Sequence, residues 1–134
     1  MASTNQFRTA DLDNPELSEL LSVRVSREDT AVVVTASGEI DLYTAPRLAS
    51  ALQQAIDDAH GGLVVVDLTD VTFMASSGIS VLTTGLSHAQ QRDCRILLAG
   101  GGRPVHRPLE AAGLHQHFEY VPSASDAVQH HSNV

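Results

Sequence analysis

The run LVVVDLTDVTFMASSGISVL, residues 63–82, decides how the chain reads. Its first six residues are apolar but for Asp67, the pattern of a strand buried on both faces. Thr69-Asp70 then reads as a loop. Val71, Phe73 and Met74 follow, and Ser76-Ser77-Gly78 stands just before a segment with helical spacing. A serine pair at such a handover either caps the helix or presents a hydroxyl. Serine is a preferred N-cap because its oxygen accepts from first-turn amides that have no partner in the helix. One serine is enough for that. With Ser76 as the cap, Ser77 becomes the first helical residue and its hydroxyl can face solvent. Capping alone still accounts for both. Two features favour chemistry here: in open α/β sheets ligands gather at the carboxyl ends of strands, and a helix N-terminus tolerates added negative charge.

Working outward, "LSVRVS", residues 21–26, alternates apolar and polar and reads as a half-buried strand. A turn at 27–30 joins it to "AVVVTASGEI", residues 31–40, as a hairpin. Gly38 marks a bulge or bend near the end of that second strand. Thr44-Ala45-Pro46 opens a helix: Thr44 or Ala45 is the cap, and Pro46 sits in the first turn, where a missing N–H costs nothing. Leu48, Ala51, Leu52, Ala55, Ile56 and Ala59 then share one face, and Gly61-Gly62 ends the helix.

After the serines, Ile79, Leu82, Leu86 and Ala89 place a helix over 78–92. "CRILLA", residues 94–99, is another buried strand, and Gly100-Gly101-Gly102 is a loop. A short helix over 105–112 closes at Gly113, and a strand spans 117–121. Ser123, with Asp126 three residues on, opens a last helix as a capping box. The order β-β-α-β-α-β-α-β-α predicts an α/β fold: a mixed sheet with an N-terminal hairpin, parallel central strands and about four helices. Residues 1–18 read as a flexible tail, 19–130 as one domain, and the last residues, 131–134, as a frayed end.

Composition narrows the function. The chain has 134 residues, 43% of them apolar, enough for a core without metals or disulfides. Its formal net charge of −8 disfavours nucleic acid and anionic membranes as partners. All eight basic residues are arginine. Cys94 is the one cysteine, so no internal disulfide can form, and it reads as a small core residue. With no long apolar run and no leader-like start, the expectation is a soluble cytoplasmic protein.

The remaining chemistry is thin. Ala75-Ser76-Ser77-Gly78 lacks the first glycine of a Gly-x-Ser-x-Gly nucleophile elbow, and no acid and histidine stand in convincing positions after it. Gly100-Gly101-Gly102-Arg103 lacks the Gly-Lys-Ser/Thr ending of a phosphate loop and is not Gly-x-Gly-x-x-Gly, so a plain turn is the better reading. His115, His117, His130 and His131 have no cysteines at zinc spacing and read as surface histidines. Asp41, Asp67 and Asp70 fall near strand ends or in loops, where turn and cap duty is commoner than a metal site.

Three stretches carry a resemblance: GEIDLYTAPRLASALQQAI, LVVVDLTDVTFMASSGISVL and RILLAGGGRPVHRPLEAAGL. Together they resemble the sulfate-transporter and anti-sigma-factor-antagonist (STAS) domain, and within it the bacterial anti-anti-sigma factors, over roughly residues 20–130. The resemblance implies a mixed sheet with helices mainly on one side, no catalysis by the domain itself and no cofactor or metal. The implied partners are an anti-sigma factor, usually a serine kinase, whose capture frees a sigma factor, and a phosphatase that reverses the modification. Matching Asp-Ser-Ser-Gly to this chain puts the phosphoacceptor on Ser77. Ser76, Ser77 and Gly78 form the partner contact, with Gly38, Glu39 and Asp41 beside them. Ala75 stands where the motif usually has Asp. That departure motivates the alternative, a STAS module without a phospho-switch, in a signalling assembly or sensing a small ligand.

Overall fold

In the computed structural model, which describes residues 20–132, the valine-rich runs form one five-stranded sheet. The strands are β1 (Leu21–Glu28), β2 (Ala31–Ile40), β3 (Leu63–Met74), β4 (Arg95–Ala99) and β5 (Glu119–Val121). They lie side by side in chain order. β1 and β2 pair antiparallel, and every later pair is parallel. The helices are α1 (Ala45–Asp58), α2 (Ser76–Gln91), α3 (Gly102–Ala111) and α4 (Ala124–Ser132). The expected tail at 1–18 and the last two residues of the expected frayed end lie outside the described residues.

Alternation along the strands divides the core in two. Val32, Val34, Val64, Val66, Leu68, Ile96 and Leu98 face one side, where Leu48, Leu52, Leu82, Val105 and Leu109 of α1, α2 and α3 cover them. Ala31, Val33, Leu63, Val65, Leu97 and Ala99 face the other, covered by Ala127 and Val128 of α4. So three helices pack on one face and one on the other, and the continuous apolar runs are explained by cover on both sides. Cys94 is buried in the larger cluster, and desolvation raises its thiol pKa.

Several boundaries differ from expectation. β1 continues to Glu28, which pairs with Ala31, so the turn shrinks to Asp29-Thr30, with Asp29 left-handed at φ 56°. β3 does not stop for a loop at Thr69-Asp70. It runs on to Met74, paired with β2 alone beyond Asp67. Asp67 Oδ1 accepts from the Thr69 amide and hydroxyl, local bonds that a loop reading takes for a turn. α2 starts at Ser76 rather than Gly78 and ends at Gln91. β4 begins at Arg95 rather than Cys94, and α3 starts early, at Gly102. His115–His117 is a turn of 3-10 helix, leaving only Glu119–Val121 for the last strand. α4 continues through 130–132, with Ser123 Oγ accepting from the Asp126 amide at its start.

Candidate functional site

Parallel pairing brings the two expected site segments together. Glu39 lies beside Phe73 and Ile40 beside Met74, so the carboxyl ends of β2 and β3 emerge as neighbours. The Ala75 amide then donates to the Ile40 carbonyl at 2.8 Å, fixing the start of α2 against the end of β2. Gly78 faces the core there: a Cβ in its place would lie 2.6 Å from Met74 Cγ and 2.8 Å from Ile40 Cγ2. The sequence reading places Gly78 in the partner contact; in the fold it is buried and packs behind the site.

Gly38 has φ +117°, and a Cβ there would collide with the Leu20 carbonyl. The pairing of β2 with β3 shifts register between Gly38 and Glu39, so the expected bulge is present. The bulge lies just before the last two residues of β2, of which Glu39 is exposed and Ile40 fully buried.

Beyond it the chain makes a tightly held loop. Asp41 Oδ1 accepts from the amides of Tyr43 and Thr44 at 2.9 and 3.0 Å. The buried Thr44 hydroxyl donates to the Glu39 carbonyl at 2.8 Å and accepts from the Asp41 amide at 2.9 Å. Thr44 occupies the N-cap position of α1, yet its hydroxyl ties down the loop and caps no helix amide. Asp41 thus serves the turn and holds the loop rigid. At the tip, Leu42 and Tyr43 are 72% and 75% exposed, and Phe73 on β3 is 50% exposed. Large apolar side chains held out in water on a fixed loop are the usual material of a contact surface. Periodicity gives no signal for them, because a two-residue loop tip has no period.

The serines take roles different from those expected. Ala75, with φ −85° and ψ 176°, occupies the N-cap position of α2 and has no side chain with which to cap. Ser76 is the first helical residue and is exposed. Ser77 is the second. Its Oγ is buried and has no hydrogen-bond partner, so it does not face solvent. The helix-cap explanation therefore fails for both hydroxyls.

Elsewhere the chemistry is structural. His115 is half-buried rather than a surface residue. Its Nε2 lies 3.1 Å from His106 Nδ1, and its ring stacks on Tyr120 at 4.5 Å between centroids. Desolvation and the nearby Glu110 raise the Tyr120 pKa. Among the described residues no three of His, Cys, Asp and Glu converge on a metal site, and no helix is long and apolar enough to cross a membrane.

Residues 23–122 match the family model described as Mlab, STAS domain. The chain belongs to the STAS-domain family. It is 32% identical over 96 residues to an anti-sigma-B factor antagonist of Listeria monocytogenes, covering 70% of this chain and 82% of that one. It is 29% identical over 108 residues to the anti-sigma-F factor antagonist RsfB of Mycobacterium tuberculosis, covering 81% and 87%. The crystal structure of an anti-sigma factor antagonist from Mycobacterium paratuberculosis superposes with a TM-score of 0.73 at 28% identity, covering 84% and 94%. In STAS terms, the bulged β2 end, the β3 end and the start of α2 form one corner of the domain.

Proposed function

We propose that this STAS protein is an anti-sigma factor antagonist. It acts in the cytoplasm by binding, not catalysis. Its partner is an anti-sigma factor of the serine-kinase type, and capture of that partner frees a sigma factor. Phosphorylation at Ser77 switches the binding off, and a phosphatase restores it. The observation that supports this best is the single corner carrying the serine pair together with exposed Leu42, Tyr43 and Phe73. The names of the relatives point the same way.

The energetics suit such a switch. A phosphate adds about −1.5 to −2 charges at neutral pH. The helix dipole at the start of α2 offsets roughly 0.3–1 kcal/mol of that. An unpaired, desolvated charge at an interface costs roughly 2–5 kcal/mol, about 30-fold to several thousand-fold in affinity. One modification thus removes binding and leaves the fold standing.

Affinity capture with candidate anti-sigma serine kinases tests the reading. Wild type is expected to bind one of them and Ser77→Asp to bind it at least roughly 30-fold more weakly. Equal binding by Ser77→Asp sinks the switch. The sheltered Ser77 hydroxyl and the alanine at 75 favour a second reading, a STAS interaction module that is never phosphorylated and works in a larger assembly or with a small ligand. Mass spectrometry of protein from its native cells separates the two, since phosphate on Ser77 eliminates the second.

A further inference from the structure

The sheet has two edges, and they are built differently. β5 is three residues long and runs into Pro122, which has no N–H to offer, so that edge is blunted. β1 is eight residues long, and its register with β2 is unbroken from Leu21 to Glu28. It holds no proline and no bulge, and among the described residues no strand pairs with its outer side. Asp29-Thr30 is a two-residue turn, so Glu28 and Ala31 are the hydrogen-bonded pair that closes the hairpin. The alternation of an antiparallel ladder then turns the amides and carbonyls of Val23, Val25 and Arg27 outward. The Leu21 carbonyl, next in that series, accepts from the Arg47 guanidinium, as an outward group can. Val25, midway along this edge, leaves an apolar side chain 49% exposed.

We propose that this edge pairs with a second copy of itself: β1 lies antiparallel to β1 of another molecule, with the two-fold axis at Val25. This register sets Val25 against its own copy and Val23 against Arg27 of the second copy, so all three outward residues gain hydrogen-bonding mates. On the opposite face Arg24 stands diagonal to Glu28 of the second copy, within reach of a long side chain, and symmetry makes the pair twice. With the axis at Arg24 the two arginines would oppose each other. With the axis at Ser26, Val23 would fall opposite the turn residue Asp29 and lose its mate. Arg27 does not guard the edge, because its guanidinium is drawn back onto the Asp58 carbonyl of α1 at 2.8 Å. Residues 12–19 could reach this edge only by doubling back at Leu20, and they include Asp13, Pro15, Glu16 and Glu19, types that strands disfavour. The axis runs perpendicular to the joined sheet, so the serine corners of the two copies face opposite ways and both stay open.

Sedimentation of the full-length protein over a concentration series tests this. The strand contact alone falls short of the roughly 1,200–2,000 Å² buried in stable interfaces, so a weak dimer is expected, populated at about 100 µM. Both side chains of the Arg24–Glu28 pair are exposed, so reversing their charges spares the core. Arg24→Glu should raise the dissociation constant roughly five- to tenfold, and Arg24→Glu combined with Glu28→Arg should restore it. A monomer at every concentration, a dimer indifferent to Arg24→Glu, or no recovery in the double variant overturns the proposal. Val25→Cys in a Cys94→Ala background reads the register. Hydrogen-bonded pairs place their Cα atoms about 5.5 Å apart, inside the roughly 4.4–6.8 Å that a disulfide spans, so oxidation should link this variant into a covalent dimer. Ser22→Cys, whose copy lies about 20 Å away across the axis, should stay unlinked. Linkage at both positions, or at neither, overturns the pairing.

Discussion

The amide of Ala75 donates to the carbonyl of Ile40 at 2.8 Å, so the end of β2 and the start of α2 are held as one piece. Gly78 sits behind that joint, against Met74 and Ile40. Gly78→Val should force these side chains apart and cost about 1–3 kcal/mol, the usual effect of overpacking. Urea denaturation measures the loss. An unchanged midpoint would show that the joint has slack.

Gly38 makes a sharper case, because backbone blocks the way. Its φ of +117° is strained for any L side chain, and the added Cβ meets the Leu20 carbonyl. Gly38→Ala should destabilise by about 2 kcal/mol or more. Thermal unfolding should register this as a fall in Tm, whereas a Tm equal to wild type would contradict the described backbone.

Tyr43 and Phe73 stand out from the surface and support little of the core. Tyr43→Ala and Phe73→Ala should each change stability by less than about 0.5 kcal/mol. Affinity for the captured anti-sigma factor should fall by about 30-fold for at least one of them. Calorimetry of the purified pair gives the answer, and wild-type affinity in both variants would move the contact face elsewhere.

Ser77 offers the opposite sign. Its buried hydroxyl has no partner, a state that has a free-energy cost, and alanine is also the better helix former. Ser77→Ala should therefore stabilise by about 1 kcal/mol, raising Tm by about 3–5 °C. A lower Tm would mean that the hydroxyl finds a partner in solution.

The pair Arg95–Glu119, 2.7 Å apart, links β4 to β5. The Arg95 hydrogen bond lowers the Glu119 pKa below its ordinary 4.5. A depressed carboxylate pKa stabilises the fold at pH above the unfolded value, and that contribution fades as pH falls through the folded one. Both side chains are about half exposed, so solvent screening limits the pair to a few tenths of a kcal/mol. The stability difference between wild type and Glu119→Gln should be small and constant from neutral pH down to about 5, then vanish below 4.5. A difference that grows in acid would reverse the sign.

Much of this was legible because hydrophobic burial dominates local choice. The Leu63-Val64-Val65-Val66 run and the Leu48, Leu52 and Ile56 stripe each fit one period and one environment. Legibility fails where a strand outlives its neighbour. β3 beyond Asp67 has β2 on one side only, so Thr69 and Asp70 are exposed and read as a loop. It fails again at the helix start. Serine's capping preference pointed to Ser76, while the backbone turned one residue earlier, at Ala75. The site was legible as a serine pair at a junction. Its apolar half, Leu42, Tyr43 and Phe73, was not, because it follows from a bulge and a tied loop rather than from any repeat.

Strand order equal to chain order has a consequence for biosynthesis. Each strand after β1 pairs with one already made, so assembly can follow the ribosome. β2, β3 and α2, which together build the proposed binding corner, are all translated by Gln91. The corner's frame can thus take shape on the nascent chain before the strands that flank it on the far side exist.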